Sequence, residues 1–166
     1  MTQITDTPTV KGIVNIKHIN ADGVLIEERT IPNIVVQNGL QYFAARAIGT
    51  PTGATGTMTH MAIGFGTAAN TSTSQTTLSS ECVGGSNARV SLGTPTSSQN
   101  TITYGPITFG AGNGSTGVTE AGIFNQATYG ATGVGGTMLC RTTFGVINKG
   151  SADSLAITWT ITVGTW

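Results

Sequence analysis

Hydrophobic and polar residues alternate along much of the chain, which is the pattern of β-strands that bury one face. The clearest case is SLAITWTITV, residues 154–163. One face of this stretch collects the large hydrophobic side chains Leu155, Ile157, Trp159, Ile161 and Val163. The other face carries Ala156 and three threonines, whose β-branched side chains suit a pleated strand. The pattern predicts a strand with one face in a core and a hydroxyl-rich face outward.

Seven further stretches have strand-like patterns and bring the predicted total to about eight strands. They are TVKGIVNIKHI (9–19), GVLIEERTI (23–31), MTHMAIGFG (58–66), SSECVGGSNARVSL (79–92), NTITYGPITFG (100–110), VTEAGIFN (118–125) and GTMLCRTTFGVIN (136–148). The first two flank NADG, a sequence typical of a hairpin turn. Gly84 and Gly85 predict a bulge or bend in the fourth of these stretches. The apolar parity of the fifth changes across Gly105 and Pro106, which predicts a bulge or an edge position.

One segment has the period of a helix instead. We predict a short α-helix over about 38–48, with Asn38 as its cap and Gly49 with Pro51 at its end. The predicted apolar stripe of this helix comprises Leu40, Phe43, Ala44, Ala47 and Ile48. A single helix cannot cover a parallel sheet, so the element pattern favours antiparallel pairing.

The predicted fold is therefore all-β, an antiparallel β-sandwich or jelly roll of about eight strands with one short α-helix. We expect residues 1–8 to be a flexible N-terminal arm and residues 9–166 to be a single sandwich domain. The segments rich in Gly, Ser and Thr are predicted to be connections without chemistry of their own: 50–57, 66–77, 93–100 and 110–117.

Charge is scarce in this chain. Of 166 residues, 14 are Lys, Arg, Asp or Glu, while Thr, Gly and Ser together number 66. A surface with so little charge repels other copies weakly, which favours a homo-oligomer. Seven positive and seven negative residues leave no strong basic footprint, so we predict no nucleic-acid partner. No run of 18 apolar residues and no signal-peptide core occur, so we also predict no membrane partner.

The histidines and cysteines do not form a recognisable site in the sequence. His18 and His60 lie in predicted strands, away from other metal ligands, and are expected at the surface or at a sheet edge. Cys82 and Cys140 do not form a CxxC motif, and we expect two small buried side chains. A disulfide between them stays open, because a separation of 58 positions along the chain does not fix a distance in space.

The carboxylates are also too scattered for a catalytic motif. Asp22 and Asp153 fall in predicted turns, and Asp6 falls in the predicted arm. Glu81 and Glu120 remain as a conceivable catalytic pair, although each lies in a different strand without a supporting motif. The G-x-G of IGFG lacks the strand, turn and helix of a dinucleotide site. We therefore predict that the chain is not an enzyme and uses no cofactor and no metal.

Glu120 raises a different question, because VTEAGIFN surrounds it with small and apolar residues. A buried carboxylate needs a partner, since an unpaired buried charge is costly. Arg141 and Arg89 are the candidates, each alone in an apolar or hydroxyl-rich strand. The prediction is an ion pair between Glu120 and one of these arginines, which would fix strand register or a subunit contact. The alternative is that all three are solvated strand charges.

Four phrases of the sequence together resemble small virion proteins of tailed bacteriophages. They are PNIVVQNGLQYFAARAIG, HMAIGFGTA, ITFGAGNGSTGVTEAGIFN and GGTMLCRTTFGVINKGSADSLAITWTITV, within residues 31–163. Relatives of this kind are described as structural, head-decoration or tail-associated proteins. The family has no catalytic motif to transfer to this chain.

The resemblance implies a capsid cement or decoration protein with a jelly-roll-like sandwich. Such a protein would bind the major capsid protein and neighbouring copies of itself on the outer surface of the virion, after assembly in the host cytoplasm. The alternative is a tail or fibre component, including a receptor-binding module, for which Tyr129 and Trp166 are the exposed aromatic candidates.

Overall fold

The computed structural model describes residues 9–47, 49, 56–69, 72–83, 89–129 and 136–164. The predicted arm over 1–8, the Gly84–Gly85 bend and Trp166 lie outside these residues. The described elements in chain order are β1 (Thr9–Ile19), β2 (Leu25–Val35), α1 (Gln37–Ala47), β3 (His60–Gly64), β4 (Val90–Ser91), β5 (Thr96–Ser98), β6 (Thr101–Phe109), β7 (Val118–Phe124), β8 (Met138–Ile147) and β9 (Ser154–Gly164).

The strands form one curled antiparallel sheet in the order β4-β3-β7-β8-β2-β1-β9-β6-β5. The curl brings β4, at one end of this order, close to β6 near the other end. Hydrophobic side chains from both halves of the sheet share one core cluster. The all-β class, the antiparallel pairing and the single helix are confirmed for the described residues, whereas the sandwich or jelly-roll arrangement stays a prediction.

The predicted alternation in the last strand is confirmed. β9 lies between β1 and β6, and the side chains of Leu155, Ile157, Trp159 and Ile161 are fully buried. Val163, one residue before the end of the strand, is exposed, so the predicted core face does not extend to it. Burial of a Trp and three aliphatic side chains makes β9 the centre of the core, since each contributes roughly 1.5–3 kcal/mol relative to exposure.

The first hairpin also forms as predicted, and its second strand links the two halves of the sheet. The side-chain oxygen of Asn20 accepts hydrogen bonds from the N–H groups of Asp22 and Val24, and Gly23 has a φ of +79°. β2 pairs with β1 as far as Asn33 and then pairs with β8 through Ile34 and Val35.

The predicted irregularity at Gly105–Pro106 is a bulge. The register between β6 and β9 shifts between Tyr104 and Ile107, so these two residues both face the core although they are three positions apart. The three-residue strand β5 lies within the predicted connection 93–100, which is a correction. Its Thr and Ser residues carry no hydrophobic alternation that would have indicated a strand.

The stretch 79–92 forms less strand than predicted. Its described residues provide an isolated bridge between Glu81 and Gly64 and the two-residue strand β4. The side chains of Glu81 and Arg89 in this stretch are buried against each other.

The helix begins one residue earlier than predicted and buries a different face. Asn38 lies inside α1 and is not its cap, because the carbonyl of Val36 already accepts from the N–H of Leu40. The buried residues are Gly39, Tyr42 and Ala45, while Leu40 of the predicted stripe is 44% exposed.

Glycine explains this difference in the helix. A Cβ at Gly39 would stand 2.0 Å from the carbonyl oxygen of Leu139, so the helix backbone lies directly against β8. A prediction of the buried face from hydrophobic side chains does not include glycine, because glycine has no side chain. The predicted end is confirmed at Gly49, which has a φ of +70° and donates to the carbonyl of Arg46. No helix in the described part of the chain has the length and apolar character needed to span a membrane.

Candidate functional site

Glu120 and Arg141 meet in the interior of the sheet. Glu120 lies in β7, between β3 and β8, where every residue of the strand is buried. Arg141 lies in β8 opposite Gly122, which makes Glu120 and Arg141 diagonal neighbours across the two strands. Oε2 of Glu120 is 2.9 Å from Nη2 of Arg141, and both side chains are completely buried.

The carboxylate of Glu120 has four hydrogen-bond donors from the protein. Oε1 accepts from the backbone N–H groups of Gly66 at 3.0 Å and Ser80 at 2.7 Å. Oε2 accepts from the N–H of Ser79 at 3.0 Å and from Arg141. A carboxylate has about four lone-pair positions, so this one is saturated. It has neither exposure nor spare acceptor capacity with which to contact a substrate.

The two glycines of IGFG make room for this carboxylate. A Cβ at Gly66 would stand 2.3 Å from Oε1 of Glu120, and a Cβ at Gly64 would stand 2.8 Å from the same atom. The Gly64 position is also blocked by the carbonyl oxygen of Ser80 at 2.5 Å. Sequence reasoning excluded a nucleotide site here but missed this role, because the carboxylate arrives from a strand more than 50 residues later.

Arg141 extends the same network into the long segment between β3 and β4. Its Nη2 donates to the carbonyl of Ala68 at 3.2 Å, and its Nη1 donates to the side-chain oxygen of Gln75. The Nε of Arg141 is buried without a hydrogen-bond partner among the described residues. Glu120 and Arg141 thus bind five residues within this Gly/Ser/Thr-rich segment: Gly66, Ala68, Gln75, Ser79 and Ser80. Leu78, in the same segment, is buried.

Arg89 has a different partner from the one that the sequence left open. Its Nε and Nη2 bind the two carboxylate oxygens of Glu81 at 2.7 and 2.9 Å, and both side chains are 1% exposed. Its Nη1 donates to the carbonyl of Gln126, and its guanidinium lies 3.7 Å from the centre of the Phe124 ring. The alternative of solvated charges is therefore wrong for Arg89, and it is equally wrong for the buried Glu120 and Arg141.

The two ion pairs flank one residue of β3. Gly64 is opposite Glu120 on one side and bridges to Glu81 on the other. The structure thus places both conceivable catalytic carboxylates near each other but gives each its own arginine. The carboxylate of Glu120 binds backbone N–H groups and Arg141, and the carboxylate of Glu81 binds the guanidinium of Arg89.

His18 is buried, so its predicted surface or edge position is wrong. β1 lies between β2 and β9, and sequence alone did not reveal this central position. Nε2 of His18 is 2.9 Å from Oδ2 of Asp153, and the same oxygen accepts from the N–H of Gly150 at 2.7 Å. The hydrogen bond from His18, followed by that from Gly150, holds the pKa of Asp153 below its usual value. Asp153 belongs to a turn, as predicted.

Lys149 and His60 are two further titratable groups that are buried or partly buried. Lys149 is 1% exposed, and burial lowers the pKa of its ammonium against the opposing effect of Asp153. His60 is half-buried, with Nδ1 2.8 Å from Oγ1 of Thr59. Its pKa is lowered by burial and then by the charge of Arg89. Among the described residues, no three His, Cys, Asp or Glu side chains gather as a metal site requires.

Cys82 and Cys140 are small buried side chains, as predicted, and both are free thiols. Burial, followed by the charges of Glu81 and Glu120, raises the pKa of the Cys82 thiol to about 12. Burial also raises the pKa of Cys140 well above its usual value. Neither thiol is a ready nucleophile, because the reactive form is the thiolate.

The geometry of the site indicates anchoring. Its charges are paired inside the sheet and hold backbone segments in place. Comparison of the chain with protein-family models, with curated protein sequences and with solved structures finds no match. The resemblance to phage virion proteins therefore stays a prediction.

Proposed function

We propose that this chain is a virion structural protein of a tailed bacteriophage, a cement protein that binds the major capsid protein lattice on the outer surface of the head. The observation that carries the proposal is the buried carboxylate of Glu120, which accepts hydrogen bonds from three backbone N–H groups and from Arg141. The phrases IGFG, TEAGIF and LCR, which carry the resemblance, converge on this one buried network. These three stretches of sequence therefore hold the β-sheet and the segment after β3 together, and we expect a cement protein to need such a stable fold.

The distribution of charge supports the same proposal. At least five of the 14 charged residues have buried side chains: Glu81, Arg89, Glu120, Arg141 and Lys149. The surface is thus even poorer in charge than the composition suggests, and close neighbours repel weakly. Many copies bound side by side then reinforce a lattice even when each contact is modest. We also propose that the two halves of the curled sheet act as the two layers of a sandwich.

Copy number in purified virions tests this function. A cement protein should be present in hundreds of copies per particle and should sediment with tail-free heads. The matching add-back experiment mixes the purified chain with heads that lack it and measures their thermal rupture temperature, which should rise. A copy number of a few to tens, found on isolated tails, would favour the tail or fibre alternative. Absence from the particle would overturn both.

A further inference from the structure

A small cavity lies where the curl of the sheet brings β4 close to β6. It is lined by Tyr104 of β6, Ser91 of β4, Tyr42 of α1, and Thr57 and Thr59, which precede β3. Thr57 and Ser91 are exposed, so the cavity is open to solvent on their side. Its volume is about 330 Å³, near the lower end of the range for ligand-binding clefts, which suits a small molecule.

The two tyrosines at this cavity have unused hydroxyl groups. Tyr42 and Tyr104 are 9% and 6% exposed, and neither phenol oxygen has a hydrogen-bond partner in the described part of the chain. Both oxygens keep some accessible surface, unlike the unpaired Nε1 of Trp159, which has none. A buried tyrosine hydroxyl usually has a partner, because leaving it unpaired is unfavourable. Since both residues line the cavity, a ligand there can supply the missing partners.

The lining of the cavity is uncharged and rich in hydroxyl groups. Of the eight described residues that line it, five carry a hydroxyl and none is acidic or basic. Burial raises the pKa of Tyr104, and Cys140 and Tyr42 raise it further, so this phenol stays protonated at neutral pH. A charged ligand would lose its hydration without meeting an opposite charge, so the cavity favours a neutral ligand.

Two of the smaller hydroxyl groups are held in place by the protein. Oγ of Ser91 accepts from the N–H of Gly93 at 3.3 Å, which leaves its own proton available to a ligand. Oγ1 of Thr59 is 2.8 Å from Nδ1 of His60. The backbone carbonyl of Thr59 accepts from the N–H of Leu92 at 2.8 Å, which ties this side of the cavity to the turn after β4. Groups that are already positioned lose little freedom when a ligand binds.

The lining combines these hydroxyls with apolar surface from Met58, Pro95 and the two tyrosine rings. A sugar ring has the matching combination, because its edge carries hydroxyl groups that both donate and accept, while its faces carry C–H groups. A phosphate or carboxylate ligand would instead need cationic or N–H donors, and an ammonium ligand would need a carboxylate. The described lining provides neither a cation nor a carboxylate.

We propose that this cavity binds one neutral sugar ring. The phenol oxygens of Tyr42 and Tyr104 bond to hydroxyl groups of the ring, Ser91 donates to a further oxygen, and Met58 and Pro95 pack against its C–H groups. The cavity shares no lining residue with the Glu120 network. Its function is tested on the purified chain, so the result does not depend on where on a particle the chain lies.

The first test titrates the full-length, isotope-labelled chain with glucose, galactose and mannose, one at a time, and follows the backbone amide signals by NMR. We expect at least one of these sugars to shift the signals of Thr59, Ser91 and Gly93 saturably. The signals of Asp22 and Gly23, at the tip of the first hairpin, should not move. Failure of all three sugars to give saturable shifts at the cavity overturns the proposal.

The second test removes one hydroxyl at a time. Tyr104→Phe and Tyr42→Phe should each weaken binding roughly five- to tenfold, as expected for the loss of one hydrogen bond. Neither variant should lower the urea midpoint, because these hydroxyls have no partner in the described part of the chain. Tyr129→Phe is the matched control, since Tyr129 is 38% exposed and does not line the cavity. Binding that Tyr104→Phe leaves unchanged overturns the proposal.

The third test examines whether the site requires a neutral ligand. Each of the three sugars has a uronate form, in which the CH2OH group is replaced by a carboxylate. The uronate of the sugar that binds should bind more weakly than the neutral sugar, because the lining offers no opposite charge. A uronate that binds as tightly or more tightly would overturn the assignment to neutral sugars.

Discussion

Replacing Glu120 with Gln tests the anchoring role directly, because the side chain keeps its size and loses its charge. Gly66 and Ser80 donate to one oxygen of the carboxylate, while Ser79 and Arg141 donate to the other. The amide NH2 of Gln must replace one of these oxygens. In either orientation it then faces two donors, so no rotation of the amide restores the network.

The size of the effect follows from the burial of the pair. Removing one partner of a buried ion pair costs about 3–5 kcal/mol, because the remaining charge is left uncompensated. Glu120 and Arg141 are both completely buried, so solvent does not screen this loss. A domain of ordinary stability has roughly 5–15 kcal/mol in total, so Glu120→Gln should remove a large share.

The double variant Glu120→Leu with Arg141→Met tests whether Glu120 stabilises the fold through Arg141 alone or also through the backbone N–H groups. Hydrophobic replacement of both partners is often neutral where the charges bind only each other. Here three backbone N–H groups would lose their acceptor at a cost of about 1 kcal/mol or more each. We expect the double variant to stay at least about 3 kcal/mol less stable than the unaltered chain.

Urea unfolding measures these differences, and amide hydrogen exchange locates them. The Glu120→Gln variant should unfold at lower urea and exchange faster at the N–H groups of Gly66, Ser79 and Ser80. Glu28→Gln is the control, since Glu28 is exposed and its ion pair with Lys17 should contribute less than about 1 kcal/mol. A Glu120→Gln chain within about 0.5 kcal/mol of the unaltered one would refute the anchoring argument.

Three further predictions concern other parts of the molecule. Gly66→Ala should lower the urea midpoint and speed exchange in the neighbouring segment, because the new Cβ would overlap a carboxylate oxygen at 2.3 Å; an unchanged midpoint would contradict this. Arg89→Lys keeps the charge but should lower the free energy of unfolding by about 1–3 kcal/mol in the same assay, because lysine cannot form the bidentate pair with Glu81 or stack on Phe124. An unchanged free energy of unfolding would show that the charge alone matters. Asp153→Asn should destabilise the chain at neutral pH, and the difference should shrink as the pH falls below about 4, since the folded-state pKa of Asp153 lies below the unfolded value of about 3.9. A difference that does not depend on pH would contradict the lowered pKa of Asp153.

Elements set by local patterns could be predicted from the sequence. The alternation of β9 is readable because successive side chains of a strand face opposite sides. The turn at Asn20–Gly23 and the bulge at Gly105–Pro106 follow from turn chemistry and from a change of parity. Each of these signals lies within about ten neighbouring residues, so no knowledge of strand order is needed.

Features that depend on strand order could not be predicted. The partner of Glu120 stayed open between two arginines, because the choice depends on which strands are adjacent. The sequence predicts a surface or sheet-edge position for His18, because nothing local shows that β1 has a strand on each side. The buried face of α1 was missed because Gly39, which makes the closest approach to the sheet, adds nothing to a hydrophobic stripe.

Burial of charged residues in this chain affects both its interior and its surface. The segment between β3 and β4 is rich in hydroxyls and glycines, so hydrophobic burial alone can hold little of it in place. Buried Glu120 and Arg141 provide the fixed hydrogen-bond partners that this segment needs. Each charged residue that is buried in this role is absent from the surface. A chain that holds polar loops with buried charges therefore carries fewer charges on its surface than its composition contains.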